Sequence, residues 1–160
     1  MADIHLGLLL AAPPSRVFEV LSTQKGLSEF WTDQAEVTPV VGSTASFAFG
    51  PNGETVFRMR VDKLESASLV EWTCLGDPPP WANTTVRWDL KVATKENTIF
   101  ISDEAAAAGS QTVLHFTHTG WQDADFLFAQ VGQTWAMVLN RLSEYVKSPA
   151  PMPYFTRLNH

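Results

Sequence analysis

Hydrophobic positions along the chain change period twice. The first residues alternate: from Asp3 to Ala11, the residues Ile4, Leu6, Leu8 and Leu10 fall on one face and His5, Gly7 and Leu9 on the other, which predicts a strand. Pro13-Pro14-Ser15 then opens a helix, because a proline in the first turn gives up an N–H that would have no partner there. Val17, Phe18, Val20 and Leu21 supply its apolar face; Gly26 interrupts it, and Leu27, Phe30 and Trp31 predict a second short helix.

From Ala35 the period drops to two. Strands are expected at 35–38, 45–50, 54–64, 68–75, 84–94 and 111–119, separated by turn chemistry such as Pro51-Asn52-Gly53 and Gly76-Asp77-Pro78-Pro79-Pro80. Short links between neighbouring strands favour an antiparallel meander. Residues 95–110 read as an elongated hairpin tip, with Ile99 to Ile101 able to add a short strand and Ala105-Ala106-Ala107-Ala108-Gly109 helix-like. The period then changes to 3.6. Between Asp123 and Lys147, the residues Phe128, Val131, Trp135, Val138, Leu139, Leu142, Tyr145 and Val146 form one broad apolar stripe, the mark of a long amphipathic helix. After it, Ser148-Pro149-Ala150-Pro151-Met152-Pro153 cannot continue a helix. The expected organisation is one domain over 1–147 and a proline-rich tail over 148–160, which either trails or folds back so that Tyr154 and Phe155 cover something.

Alternation sorts the strand residues onto a dry face and a wet face. The dry face carries Phe47 and Phe49; Phe57, Met59 and Val61; Val70, Trp72 and Cys74; Val86, Trp88 and Leu90; Leu114, Phe116 and His118. The closing helix needs a partner for its stripe, so the dry face should wrap it. One helix cannot fill so wide an aromatic face evenly, and a lined cavity between sheet and helix is expected. Its candidate lining is Trp31, Phe57, Met59, Trp72, Trp88, Phe116, His118 and Trp135. His118 is the one titratable group on the dry face, and burial there favours neutral imidazole.

Bulk properties narrow the chemistry. At 160 residues, with 45% hydrophobic and 18% charged residues, the chain has the size and composition of a single globular domain. Eleven basic against seventeen acidic residues leave a charge of −6 with no basic cluster, which argues against nucleic acid and against an anionic membrane surface as partners. Cys74 is the single cysteine, so no intrachain disulfide is expected, in keeping with a cytoplasmic setting. The amino-terminal apolar run lacks the basic flank of a secretion signal, and no stretch approaches the about 18 apolar residues of a membrane span. No metal-ligating motif, phosphate loop or nucleophile elbow is present: His115 and His118 lie on opposite faces of one strand. The residues therefore suggest no catalytic group, no metal and no cofactor.

The order of motifs resembles a known family. Ala12-Pro13-Pro14-Ser15-Arg16-Val17-Phe18 after the first strand, Gly26-Leu27-Ser28-Glu29-Phe30-Trp31 at the second helix, Val41-Gly42, Leu69-Val70-Glu71-Trp72, Thr117-His118-Thr119-Gly120-Trp121, and Trp135 with Leu139, Leu142 and Tyr145 are similar to the START-like (SRPBCC) helix-grip domains. Within them the sequence looks closest to the branch named after the activator of the ninety-kilodalton heat-shock protein ATPase. The resemblance implies an α+β helix-grip fold: a curved antiparallel sheet of about seven strands around a long carboxyl-terminal helix, with two short helices after the first strand. Members of the wider superfamily bind lipids, sterols, polyketides or hormones, and some act as cyclases or ring-hydroxylase components. The expected role is thus a binder of a hydrophobic, aromatic or lipid-like small molecule, as monomer or homodimer. The alternatives are an enzyme of cyclase or hydrolase type with His118 as acid/base, and a co-chaperone-like adaptor.

Overall fold

The computed structural model describes residues 1–76 and 78–157. Among these, the alternating stretches form seven strands: β1 (Ala2–Leu10), β2 (Ala35–Glu36), β3 (Thr44–Phe49), β4 (Thr55–Glu65), β5 (Leu69–Cys74), β6 (Thr85–Val92) and β7 (Thr112–Trp121). They make one curved antiparallel sheet in the order β1-β7-β6-β5-β4-β3-β2. β2 to β7 run as the meander that the short links favour, and β1 joins beside β7, with Ile4 opposite His118 and Leu10 opposite Thr112.

The helices are α1 (Pro14–Ser22), α2 (Gln24–Phe30), α3 (Asp103–Ala108) and α4 (Phe126–Lys147). α1 has proline at its start, and Thr23 caps α2 by accepting the Gly26 N–H at 3.2 Å. Gly26 is where α1 and α2 meet. A Cβ there would lie 2.1 Å from the Val20 carbonyl oxygen and 2.5 Å from its Cα, so only glycine lets the two helices fold tightly against each other. α4 begins at its cap, Asp125, whose carboxylate accepts the Phe128 N–H at 3.0 Å. It packs on β1 and α2, and Trp135, Val138, Leu139, Leu142, Tyr145 and Val146 of its stripe are buried.

The segment 95–110 departs from expectation. Instead of lengthening the hairpin, its second half forms α3, capped by Ser102 accepting the Ala105 N–H at 3.1 Å and closed by Gly109 at φ 61°. The helix-like alanine run is thus helical, with a cap at each end, while Ile99–Ile101 form no strand and only Ile101 of those three is buried.

The tail folds back. The N–H groups of Met152, Tyr154 and Phe155 donate to the carbonyls of Glu29, Phe30 and Trp31, and Asp33 N–H donates to the Phe155 carbonyl. The last carbonyls of α2, which a helix end leaves without intrahelical partners, thereby gain them. The Arg141 guanidinium donates to the Met152 carbonyl and lies 6.0 Å from the Tyr154 ring centroid.

The wet face of the sheet is internally paired. Arg87 reaches Glu71 at 2.8 Å and Asp89 at 2.7 Å, and Arg60 reaches Asp62 at 2.7 Å.

Candidate functional site

On the dry face the sheet is full at one end and open at the other. At the β5–β7 end, α4 presses the Trp135 indole against Phe116 (ring centroids 4.7 Å apart) and Trp88 (5.8 Å), and Trp88 meets Trp72 at 5.7 Å. At the β3–β4 end, the first turns of α4 stand away from the strands. A half-open cavity of about 480 Å³ remains there.

Five parts of the chain wall it. Trp31 comes from the end of α2, and Phe49 and Phe57 from the facing ends of β3 and β4. Trp81 comes from the proline-rich turn between β5 and β6, Trp135 with Val131 and Val138 from α4, and Phe155 from the tail. The rim carries Glu54, Thr55, Gln130 and Thr134. Phe155 sets its ring edge-on to Phe49 at 5.1 Å, so the tail forms one side of the opening.

Of the expected lining residues, the structure brings three to this cavity: Trp31, Phe57 and Trp135. Met59, Trp72, Trp88, Phe116 and His118 do not border it. All five are at most 1% exposed and packed in the filled part of the core. They share the dry face with Phe57, but the rings of Trp31, Trp81 and Trp135, together with α1 packed on β5 and β6, cover that part of the sheet. Sequence reasoning missed Phe49 as a wall, although it had been assigned to the correct face. It also missed Trp81, which lies in a turn where alternation assigns no face, and Phe155, whose position depends on the path of the tail.

His118 closes a directed hydrogen-bond chain. The Trp135 indole N–H, which can only donate, gives its proton to His118 Nδ1 at 3.1 Å. The imidazole proton must then be on Nε2, which donates to Thr84 Oγ1 at 2.8 Å. The Thr84 hydroxyl donates onward to the Trp81 carbonyl at 2.6 Å. Burial pushes the His118 pKa down to about 3, so the ring is neutral. With both nitrogens engaged inside the protein and no contact with the cavity, His118 positions Trp135 and the Trp81 turn. Ligand contact and proton transfer would both require this chain to open. Cys74 lies buried beside Thr84, and burial pushes its thiol up to about 11, away from the reactive thiolate. No group of three or more metal-ligating side chains occurs among the described residues, and no helix of theirs is long and apolar enough to cross a membrane.

What this arrangement offers is an apolar, aromatic enclosure with a polar rim, whose one titratable group among the described residues is Glu54 at the edge. The comparisons agree on the architecture. The solution structure of the Aha1 dimer from Colwellia psychrerythraea superimposes with a TM-score of 0.76 at 26% identity, covering 92% of this chain and 98% of that one. A protein from Staphylococcus saprophyticus gives 0.71 at 15% identity over 98% of this chain and 99% of its own, and one from Mesorhizobium loti 0.70 at 16% over 93% and 99%. No curated protein matches the sequence. The family model described as Activator of Hsp90 ATPase homolog 1-like protein matches residues 11–147, and the chain belongs to that family, within the START-like helix-grip fold.

Proposed function

We propose that this protein binds a hydrophobic small molecule in the cavity between the β3–β4 end of the sheet and the first turns of α4. The observation that carries this reading is the cavity itself: about 480 Å³, within the roughly 300–1,000 Å³ of small-molecule sites, and walled by six aromatic side chains. A cleft lined so largely by apolar rings leaves hydrophobic surface in contact with water, which an apolar molecule would cover. Here the rings brace one another and hold it open: Phe57 stands edge-on to Trp81 at 4.6 Å, and Trp31 meets Trp135 at 5.1 Å. The polar rim, with Thr134 and Gln130, orients whatever enters.

The binding role is preferred over catalysis because the cavity wall holds no acid–base pair or nucleophile among the described residues. The adaptor alternative rests on the family name alone, and fold does not fix function. The named Colwellia dimer makes a homodimer worth measuring by light scattering.

The test is a titration of tryptophan emission with a panel of apolar and aromatic small molecules. Binding should be saturable and should disappear in Val131→Phe, which fills the cavity from α4 while leaving the core aromatics in place. A panel without a single saturable ligand, or ligands that bind Val131→Phe equally well, would overturn the assignment.

A further inference from the structure

Two histidines meet on the wet face of the sheet, opposite to the face that carries the cavity. His5 belongs to β1 and His115 to β7, 110 residues apart in the chain. In the β1–β7 register Thr117 stands opposite His5 and Gly7 opposite His115, so the two histidines are diagonal neighbours. Gly7 brings no side chain to the place facing His115, which leaves that ring room to lean toward His5. His5 Nδ1 and His115 Nε2 lie 3.1 Å apart, with ring centroids 5.3 Å apart and planes inclined by 30°. Both residues are exposed.

As a hydrogen bond this contact needs a proton on one of the two facing nitrogens, and it gains little, because water offers each nitrogen a partner of its own. The same separation suits a metal ion. Metal–nitrogen bonds of about 2.0–2.1 Å, meeting at about 90–110°, set two imidazole nitrogens about 2.8–3.4 Å apart. The observed 3.1 Å falls inside that span. A neutral imidazole can keep its one proton on the nitrogen turned away, so both rings present a lone pair and neither loses a proton. His5 then coordinates through Nδ1 and His115 through Nε2, after a small rotation of the exposed rings that makes their lone pairs converge. Two paired strands hold both ligands, a firmer base than a loop.

The nearby carboxylates have partners of their own. Asp89, opposite His115 on β6, receives Arg87 Nε at 2.7 Å and Nη2 at 3.1 Å, and Asp3 Oδ1 accepts the Gly120 N–H at 3.1 Å. The donor set is therefore nitrogen from two imidazoles, which favours zinc, copper or nickel; magnesium and calcium take oxygen.

We propose that His5 and His115 form a two-histidine site for a divalent transition-metal ion of the zinc, copper and nickel group, with water in the remaining positions. A bound ion would tie the first strand of the chain to the last, and the site does not depend on the cavity.

The test is a calorimetric titration of zinc chloride into the full chain, stripped of metal by a chelator, in a non-coordinating buffer at about pH 7.5, where ordinary imidazole is neutral. One zinc per chain should bind, and either His5→Ala or His115→Ala should weaken it roughly tenfold or more. His160→Ala should bind as the wild type does, and magnesium should not bind. The imidazole NMR signals of His5 and His115 should shift with zinc while those of His118 stay in place, and zinc should raise the thermal midpoint of the wild type but of neither His5→Ala nor His115→Ala. No zinc binding would mean that the two rings only share a hydrogen bond, and would overturn the site. Equal affinity in His5→Ala or His115→Ala, loss of binding in His160→Ala, or equal binding of magnesium would each overturn it as well.

Discussion

Trp135 donates its indole proton to His118 Nδ1 across 3.1 Å, and this one bond decides which imidazole nitrogen carries hydrogen. Trp135 belongs at once to the packed core, through Phe116, and to the cavity wall, through Trp31. The His118–Thr84–Trp81 chain therefore ties one wall residue, Trp135, to the turn that carries another, Trp81. Trp135→Phe keeps most of the ring and removes the donor. It should cost about 1–3 kcal/mol, the penalty of a buried acceptor left without a partner, read from urea denaturation at neutral pH. A loss below about 0.5 kcal/mol would mean the bond is not formed in solution.

Stability should fall with acid earlier than the carboxylates alone would dictate. His118 is neutral in the folded protein, with its pKa lowered to about 3, whereas the unfolded chain takes up a proton near 6.5. The unfolded state binds more protons below that value, so the contribution is complete above pH 6.5 and is lost as pH falls toward 3. The slope is at most about 1.4 kcal/mol per pH unit. Glu29, whose carboxylate is held below its usual 4.5 by the Tyr145 hydroxyl, adds its own loss only at lower pH. Denaturation midpoints between pH 7 and 5 should decline in the wild type and flatten in His118→Gln. A flat wild-type profile would contradict the buried neutral imidazole.

Two glycines in helices should respond oppositely to alanine. At Gly26 the new Cβ would meet the Val20 backbone at 2.1 Å, and backbone cannot swing aside, so Gly26→Ala should cost about 3 kcal/mol or more. At Gly132, within α4, the nearest atoms are the Ile4 side chain at 3.9 Å, an ordinary contact. Gly132→Ala should stabilise by about 0.5–1 kcal/mol through better helix propensity. Thermal midpoints of the two variants give the comparison directly.

Removing the tail should open the cavity rather than simply trim the protein. A chain ending at Ser148 loses Phe155 from the wall beside Phe49, and the partners of the Glu29, Phe30 and Trp31 carbonyls. The expected result is a loss of about 1–2 kcal/mol, a red-shifted tryptophan emission as Trp31 meets water, and increased binding of a hydrophobic dye. Unchanged emission would show that the tail does not shield Trp31.

Most of the fold was legible because period two and period 3.6 are strong signals where they persist. The strands, the dry face and the α4 stripe all followed from them. The site was only partly legible. Alternation tells which face Phe57, Trp72 and Trp88 occupy, but it does not tell which of them the helices will cover. That is a tertiary outcome, set by α1 packing on β5 and β6 and by α4 packing against α2 and β1. Trp81 sits after Pro78-Pro79-Pro80 in a single 3₁₀ turn, where no periodicity exists to read. The helix-like alanine run is helical as α3, whereas Ile99–Ile101, too short a run to fix a strand, form none. Phe155 was one of two open outcomes for the tail, and prolines, which lack the N–H of a regular pattern, leave no periodicity that decides between them.

Phe155 completes a wall whose other members come from the end of α2, the β3–β4 hairpin, the turn before β6 and α4, and it follows all of them in the chain. During synthesis the amino-terminal segments emerge first, and β1 must wait for β7 before it can pair. The enclosure waits longer still, until the segment carrying Phe155 has emerged and paired with Trp31 and Asp33. A molecule held in the proposed site would thus be enclosed only once the segment carrying Phe155 has docked on the end of α2.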